Sequence, residues 1–554
     1  MGLHRWRWLG LGLAAALVLG ACGEPIDPAT SAATTTPPPT APTTPSPSPT
    51  PTVAPVAGIH QTERSQLTAG GELAVGLTDW PADWNPWTQD LSAEAELVLA
   101  ALRPRLFDTA ADGTLTPNPD WLDGDPDVTL SPATVVTFHL NPAATWGDGE
   151  PVSADDFAAT WEFCAATAAA GCDAGFAHIV AVAAGDNPTD VVVTFDGPYP
   201  EWRLVFRDGP ARAGSAAAAW TDLGAQPGWF AGPFAVELAD AADQELALKP
   251  NALWWGDAPL LDRVTFRVLP AAALAEAFAA GEIAAWPIGL DAGRYQAAAR
   301  TSGAQLRRSA GTTWRVLAVG QTGVLADERV RQALLRGLDR RQVGAAAVPG
   351  LGWTVEPLGD VAWQPGQADY ADRVEAAGLG FDRAAAAALL DAAGWTLGPD
   401  GLRAKGGSVL RLTFGVDAAD PLSEAEGLQV AAQWRELGIV VTLVAGSDAD
   451  VTSQAWANDL EPEVDLSRLF RTGAAANVTG YANAAVDAAL SLAAATSDAA
   501  GRARLVTEVA AQLVADVAVI PLYVLPETWA TRPALANFGP PGLATWRWEN
   551  VGWA

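Results

Sequence analysis

The chain has 554 residues, a formal net charge of −31 and four histidines. So acidic a chain repels nucleic acid and anionic lipid, and its length suffices for two or three lobes with sizeable cores. So few imidazoles argue against direct metal capture and against most acid–base or nucleophilic sites.

His4, Arg5 and Arg7 precede an apolar run from Leu9 to Leu19 that is too short for a permanent membrane span. The run ends in Leu19-Gly-Ala-Cys22, which resembles a bacterial lipobox. Residues 1–21 are therefore expected to be a lipoprotein signal peptide, with Cys22 becoming the lipidated first residue. More than one acyl chain there gives durable anchoring. Losing Arg5 and Arg7 moves the charge from −31 to −33.

Residues 22–70 open with a Thr/Pro/Ser/Ala stretch that includes Thr34–Thr40 and Pro45–Pro51. Such a segment cannot build a core, and about 30 residues of polyproline conformation reach on the order of 90 Å. It is expected to be a tether; a motif for a proline-binding partner is the alternative.

The body begins with an alternating strand, Gly71–Thr78, broken by the aromatic loop Asp79–Trp87. A helix is predicted over 93–102 and a strand over 135–140. The turn Trp146–Gly149 leads into a helix capped by Ser153, with Asp156 at its third position. Cys164 and Cys172, eight apart in an exported chain, favour a disulfide worth roughly 2–3 kcal/mol. His178 is the only imidazole near them, which leaves a metal pair short of ligands. Strands are predicted at 191–195, 263–268, 409–414, 439–444 and 519–524. Helices are predicted at 271–280, from Asp327 through Leu338, from Asp382 to Gly394, at 428–437 and at 502–517. The architecture is mixed α/β without a repeat.

In this order, the opening 71–86, Trp146–Asp156, Gly232–Phe234 and Asn251–Trp255 resemble landmarks of the bacterial extracellular solute-binding proteins of family 5. Asp327–Leu334 with Leu338–Arg340, Leu389–Trp395, Leu437–Ile439 and Ile520–Tyr523 continue the resemblance, which covers about 70 to 554. It implies a two-lobed periplasmic-binding-protein fold of the class with an inserted extra subdomain, hinged around ligand. The discontinuous first lobe would comprise 71–107, 231–316 and 520–554, the inserted subdomain 108–230 and the second lobe 317–519.

The resemblance implies a monomeric, extracytoplasmic binding lipoprotein on the outer face of the cell membrane. It would deliver peptides or similar solutes to ABC permease subunits, without cofactor, metal or nucleic acid. A nickel chelate or sugar oligomer is the alternative ligand, and a sensor or regulator of envelope processes the alternative role. Peptide binders of this family pair an aspartate with the ligand's amine. The matching segment is Trp456–Pro462, with Asp459 first and Asp465 second as that partner and Asn458 beside it. Asp459 as a mere loop cap is the competing reading.

The 24 tryptophans contrast with five tyrosines and one methionine. Most belong in cores, and Trp84 and Trp456 are the candidates for lining a cleft. Gly-x-Ser-x-Gly, His-Glu-x-x-His and Cys–His pairings do not occur, which argues against an enzyme.

Overall fold

The computed structural model describes residues 58–457, 460–496 and 498–554. The signal peptide, Cys22, most of the tether, Asn458 and Asp459 lie outside them. No helix among the described residues is long and apolar enough to cross a membrane.

The strands in chain order are β1 Glu72–Leu77, the hairpin β2 Phe107–Thr109 and β3 Leu115–Pro117, then β4 Asp127–Thr129, β5 Val135–His139, β6 Ile179–Ala184 and β7 Asp190–Phe195. Next come β8 Phe234–Asp240, β9 Glu245–Pro250, β10 Arg263–Val268, β11 Ala285–Pro287 and the long β12 Gln305–Val319. A small sheet, β13 Thr396–Leu397, β14 Arg403–Lys405 and β15 Ser408–Val409, precedes β16 Arg411–Val416, β17 Val440–Ala445 and β18 Val451–Ala457. The chain ends with β19 Val519–Thr531, β20 Leu535–Ala536 and β21 Gly552–Trp553.

Ten of these form one mixed sheet in the order β17-β16-β18-β12-β19-β11-β1-β10-β9-β8. Two separate hydrophobic clusters pack on it, as expected of a two-lobed fold. One draws on β1, β5, β7, β9, β10 and the C-terminal segment. The other draws on residues 274–298, on β12, β16 and the helices between them, and on the first part of β19. Residues 274–298, expected with the first lobe, thus pack into the second cluster. The four-stranded sheet β4-β5-β7-β6 falls within the expected inserted subdomain and shares the first cluster.

The lobes are joined by β12 and β19, which pair antiparallel along most of their length. The expected lobe boundaries, 316/317 and 519/520, fall inside these strands, and the predicted strand 519–524 stops short of the end of β19 at Thr531. Pro526, just beyond Val524, explains the early stop. Pro521 and Pro526 both sit where the register shifts, between Arg315 and Val316 and between Ala310 and Trp314 of β12. A proline survives inside a sheet at such irregularities because the missing N–H is not demanded there.

The Trp146–Asp156 landmark is structural. Asp156 is fully buried; its Oδ2 accepts from Ser153 N (3.0 Å) and Trp146 Nε1 (2.9 Å), and Oδ1 from Ala213 N (2.8 Å). One carboxylate thus ties the turn, the helix Ala154–Thr167 and the chain leading away from Gly209. Cys164 and Cys172 form a disulfide that closes the end of that helix.

Candidate functional site: a cleft at the joining strands

Two cavities open on β12 two residues apart. Trp314 lines one of about 390 Å3, and Thr312 one of about 860 Å3.

The smaller cavity lies in the second lobe. Its wall includes Gln454, Ala455, Trp456 and Ala457, four consecutive residues of β18. A strand presents only alternate residues on a face, so four in a row mean that its edge is exposed there. The pairing agrees. β18 pairs with β12 from Val451 to Ala457, whereas β16 reaches it only at Val451 and Thr452. Among the described residues no strand covers the edge from Ser453 to Ala457. The helix Glu463–Phe470 supplies Asp465, Leu466, Arg468 and Leu469 to the opposite wall.

Trp456 stands directly opposite Trp314 in the ladder, donates from Nε1 to Gln454 Oε1 (3.0 Å) and packs edge-on to Phe470 at 5.8 Å. Asp465 reaches the same cavity, but its Oδ1 holds Arg468 at 2.7 Å, so its charge is already partnered. Asn458 and Asp459 are not described; Ala457 before them and Pro462 after them both line this cavity. Trp84 is not brought here. It is 2% exposed within the first cluster, edge-on to Trp80 at 5.3 Å, and borders a separate cavity with Thr221 and Leu246. Its apolar surface is used for packing.

A buried network braces the joining strands beside this cavity. Arg315 of β12 is 1% exposed; its Nε donates to Glu426 (3.0 Å), and its Nη2 lies within hydrogen-bond distance of Glu426 (2.7 Å), Asp420 (2.6 Å) and Ser453 (2.8 Å). Tyr523 of β19 donates to the same Glu426 at 2.5 Å. Burial alone would lower the Arg315 pKa, but Glu426 and Asp420 outweigh it and hold the guanidinium charged.

The larger cavity lies mainly in the first lobe, with Trp87, Cys172, Trp529 and Trp546 in its wall. Asp208 there would be raised by burial, but Arg207, Arg105 and Arg103 outweigh that and hold its carboxyl below the usual carboxylate range. Glu527 of β19 has no such partner, and burial pushes it up to about 7. Neither the Arg315 network nor Glu527 was picked out by sequence reasoning, because isolated charges in a chain with 64 acids form no pattern.

A third cavity, of about 310 Å3, is walled by the β2–β3 hairpin and Arg203 on one side and by Trp363, Glu463 and Arg502 on the other. The hairpin turn lies against this second wall. A Cβ at Gly113, at the hairpin turn, would stand 3.2 Å from Gln367 Nε2 and 3.5 Å from Leu460 Cδ2. Glu201 is buried at this junction. Burial first, then Glu463 and Glu461, push its carboxyl up to about 8. No cluster of three or more metal-ligating side chains occurs among the described residues.

The family described as bacterial extracellular solute-binding proteins, family 5 Middle, matches residues 120–485. The chain is 30% identical over 533 residues to the oligopeptide-binding protein OppA of Mycobacterium tuberculosis, covering 90% of this chain and 88% of that one. Among solved structures, the periplasmic EDTA-binding protein EppA superposes with a TM-score of 0.75 at 23% identity, over 91% of this chain and 99% of that one. The oligopeptide-binding protein AppA of Bacillus subtilis, solved with a nonapeptide, gives 0.65 at 18% identity, over 88% and 100%.

Proposed function

The chain belongs to the bacterial extracellular solute-binding proteins of family 5, and we propose that it captures short peptides for an ABC importer. The observation that carries this reading is the uncovered edge of β18 from Ser453 to Ala457 along the smaller cavity. An extended peptide satisfies such an edge through its own main chain, which makes binding largely indifferent to side-chain identity. The identity to an oligopeptide-binding protein over nearly the whole chain supports the same ligand class.

In this reading Asp459, two residues beyond β18, pairs with the peptide's terminal amine, and Trp456 packs on a ligand side chain. Cys22 carries the lipid anchor on the outer face of the cell membrane, the Pro/Thr-rich segment is the tether, and the partners are membrane permease subunits.

The test is calorimetric titration of the purified protein with tri- to pentapeptides, together with native mass spectrometry of the protein as isolated. Binding at roughly micromolar affinity, about −8 kcal/mol, is expected. Asp459→Ala weakens it by about 2–5 kcal/mol if the amine is paired in a closed cleft. Equal affinity for amine-blocked peptides removes Asp459 from the role, and absence of all peptide binding overturns the proposal. A non-peptide solute is the second reading, favoured by the size of the larger cavity and by the fold shared with an EDTA-binding protein.

A further inference from the structure

The wall of the larger cavity carries several charged side chains, and all but one of those inside the rim have partners in the protein. Glu96 faces Arg103 at 3.6 Å, and Asp208 takes both Arg105 (3.6 Å) and Arg207 (2.9 Å). Glu94 accepts from Thr78 N (2.6 Å), Thr78 Oγ1 (2.8 Å) and Asp79 N (3.0 Å), and Asp173 accepts from Gly175 N (2.6 Å). Asp90 stands exposed at the rim.

Glu527 is the exception. Its carboxylate has no hydrogen bond or ion pair among the described residues, although it lines the cavity on a strand at the centre of the sheet. The guanidinium nearest along the same face of the ladder belongs to Arg307, opposite Trp529. That group donates instead to the main-chain carbonyls of Phe538 (2.6 Å) and Leu535.

Two features shape the space around Glu527. Gly311 of β12 lacks the side chain that would fill it: a Cβ there would stand 3.2 Å from Glu527 Oε1 and 2.9 Å from Leu525 O. Trp529, two residues on, projects from the same face of β19 and lines the same cavity. An unpaired carboxylate beside an indole suits an organic cation, which gains charge pairing from one and attraction to the ring face from the other.

We propose that Glu527 is the recognition point for a cationic group of the ligand, a basic side chain where the ligand is a peptide. This rests on the peptide reading above and adds a preference to it: the β18 edge takes the main chain, while the first-lobe cavity selects for positive charge.

The experiment is calorimetry of the purified protein with tetrapeptides of otherwise identical sequence. Lysine is placed at each position in turn and compared with its uncharged isostere norleucine. The expected result is a preference of about tenfold for lysine at one position at least, abolished in Glu527→Gln, while the norleucine peptides bind the variant as they bind the native protein. Equal affinity for lysine and norleucine at every position overturns the inference and leaves peptide binding standing. A lysine preference that survives Glu527→Gln also overturns it. Failure of every peptide to bind overturns the underlying reading, and this inference with it. The native comparison needs no substitution and decides the matter even where Glu527→Gln does not fold; Gly311→Ala, which crowds the carboxylate, is the second variant and weakens the lysine preference.

Discussion

Trp314 of β12 and Trp456 of β18 are register partners, and both line the smaller cavity. Trp314 is 4% exposed and belongs to the second core, whereas Trp456 is only partly buried and packs against that core from the cavity side. The pair joins the second core to the cavity wall.

Trp456→Ala is therefore expected to weaken peptide binding about tenfold with little change in melting temperature. Trp84→Ala does the reverse: a fully buried tryptophan truncated to alanine costs about 3–5 kcal/mol of stability. Calorimetric titration and thermal unfolding of the two variants side by side separate the roles.

Arg315 gives a prediction on stability. Removing it strands Glu426 in the interior, while Asp420 is partly open to solvent, and breaking a buried pair in this way typically costs about 3–5 kcal/mol. Arg315→Met should lower the midpoint of urea unfolding accordingly. Replacing Arg315 and Glu426 together by apolar residues should recover much of the loss, because no uncompensated charge is then buried.

Glu201 sets a pH dependence. Burial, with Glu463 and Glu461 nearby, raises its pKa in the folded protein to about 8 against an ordinary 4.5, so folding favours the neutral form. A raised carboxyl pKa means that stability is greatest below pH 4.5, declines as the pH climbs from there through 8, and levels off above. Glu201→Gln removes this slope. The variant should melt about 2–4 °C higher than the native protein at pH 8 and match it near pH 4.5. A native melting temperature flat across that window would dismiss the role.

The disulfide closes a loop beside the larger cavity, whose wall includes Gly171 and Cys172. Replacing both cysteines by alanine is expected to cost about 2–3 kcal/mol. Thermal unfolding of the double variant, with and without reductant, checks that the loss comes from the cross-link.

Much of this architecture is legible in the sequence because local chemistry and tertiary role coincide. Val75 and Leu77 alternate into the core as the period-2 pattern requires, Asp327 and Asp382 cap the helices they precede, and Ser153 and Asp156 mark their turn. β12 is different. Arg307, Arg308, Arg315 and Gly311 interrupt its apolar alternation, and two of those arginines are buried only because distant carbonyls and carboxylates meet them. Such compensation is invisible in a linear reading. The helix Ala499–Ala515 begins earlier than the expected 502 because Asp498, accepting from Gly501 N at 2.7 Å, is its cap. Trp456, which lines the smaller cavity, lies in the family segment, whereas Glu527 falls beyond the predicted strand end at Val524 and gains its place only from β12 beside it.

The position of β19 bears on how the protein is made. It lies between β12 and β11, at the centre of the ten-stranded sheet, yet it starts only at residue 519. A chain emerging from its N-terminus completes β1, β10 and β11 long before the strand that joins them to β12 exists. Contacts of such sequence separation form late, because the intervening loop must be closed first. Residues 320–518, by contrast, can assemble while the rest waits. Until the last segment arrives, the flanks of β11 and β12 stay open to other strands. Truncations near the C-terminus should therefore yield aggregation-prone protein, not a smaller working trap.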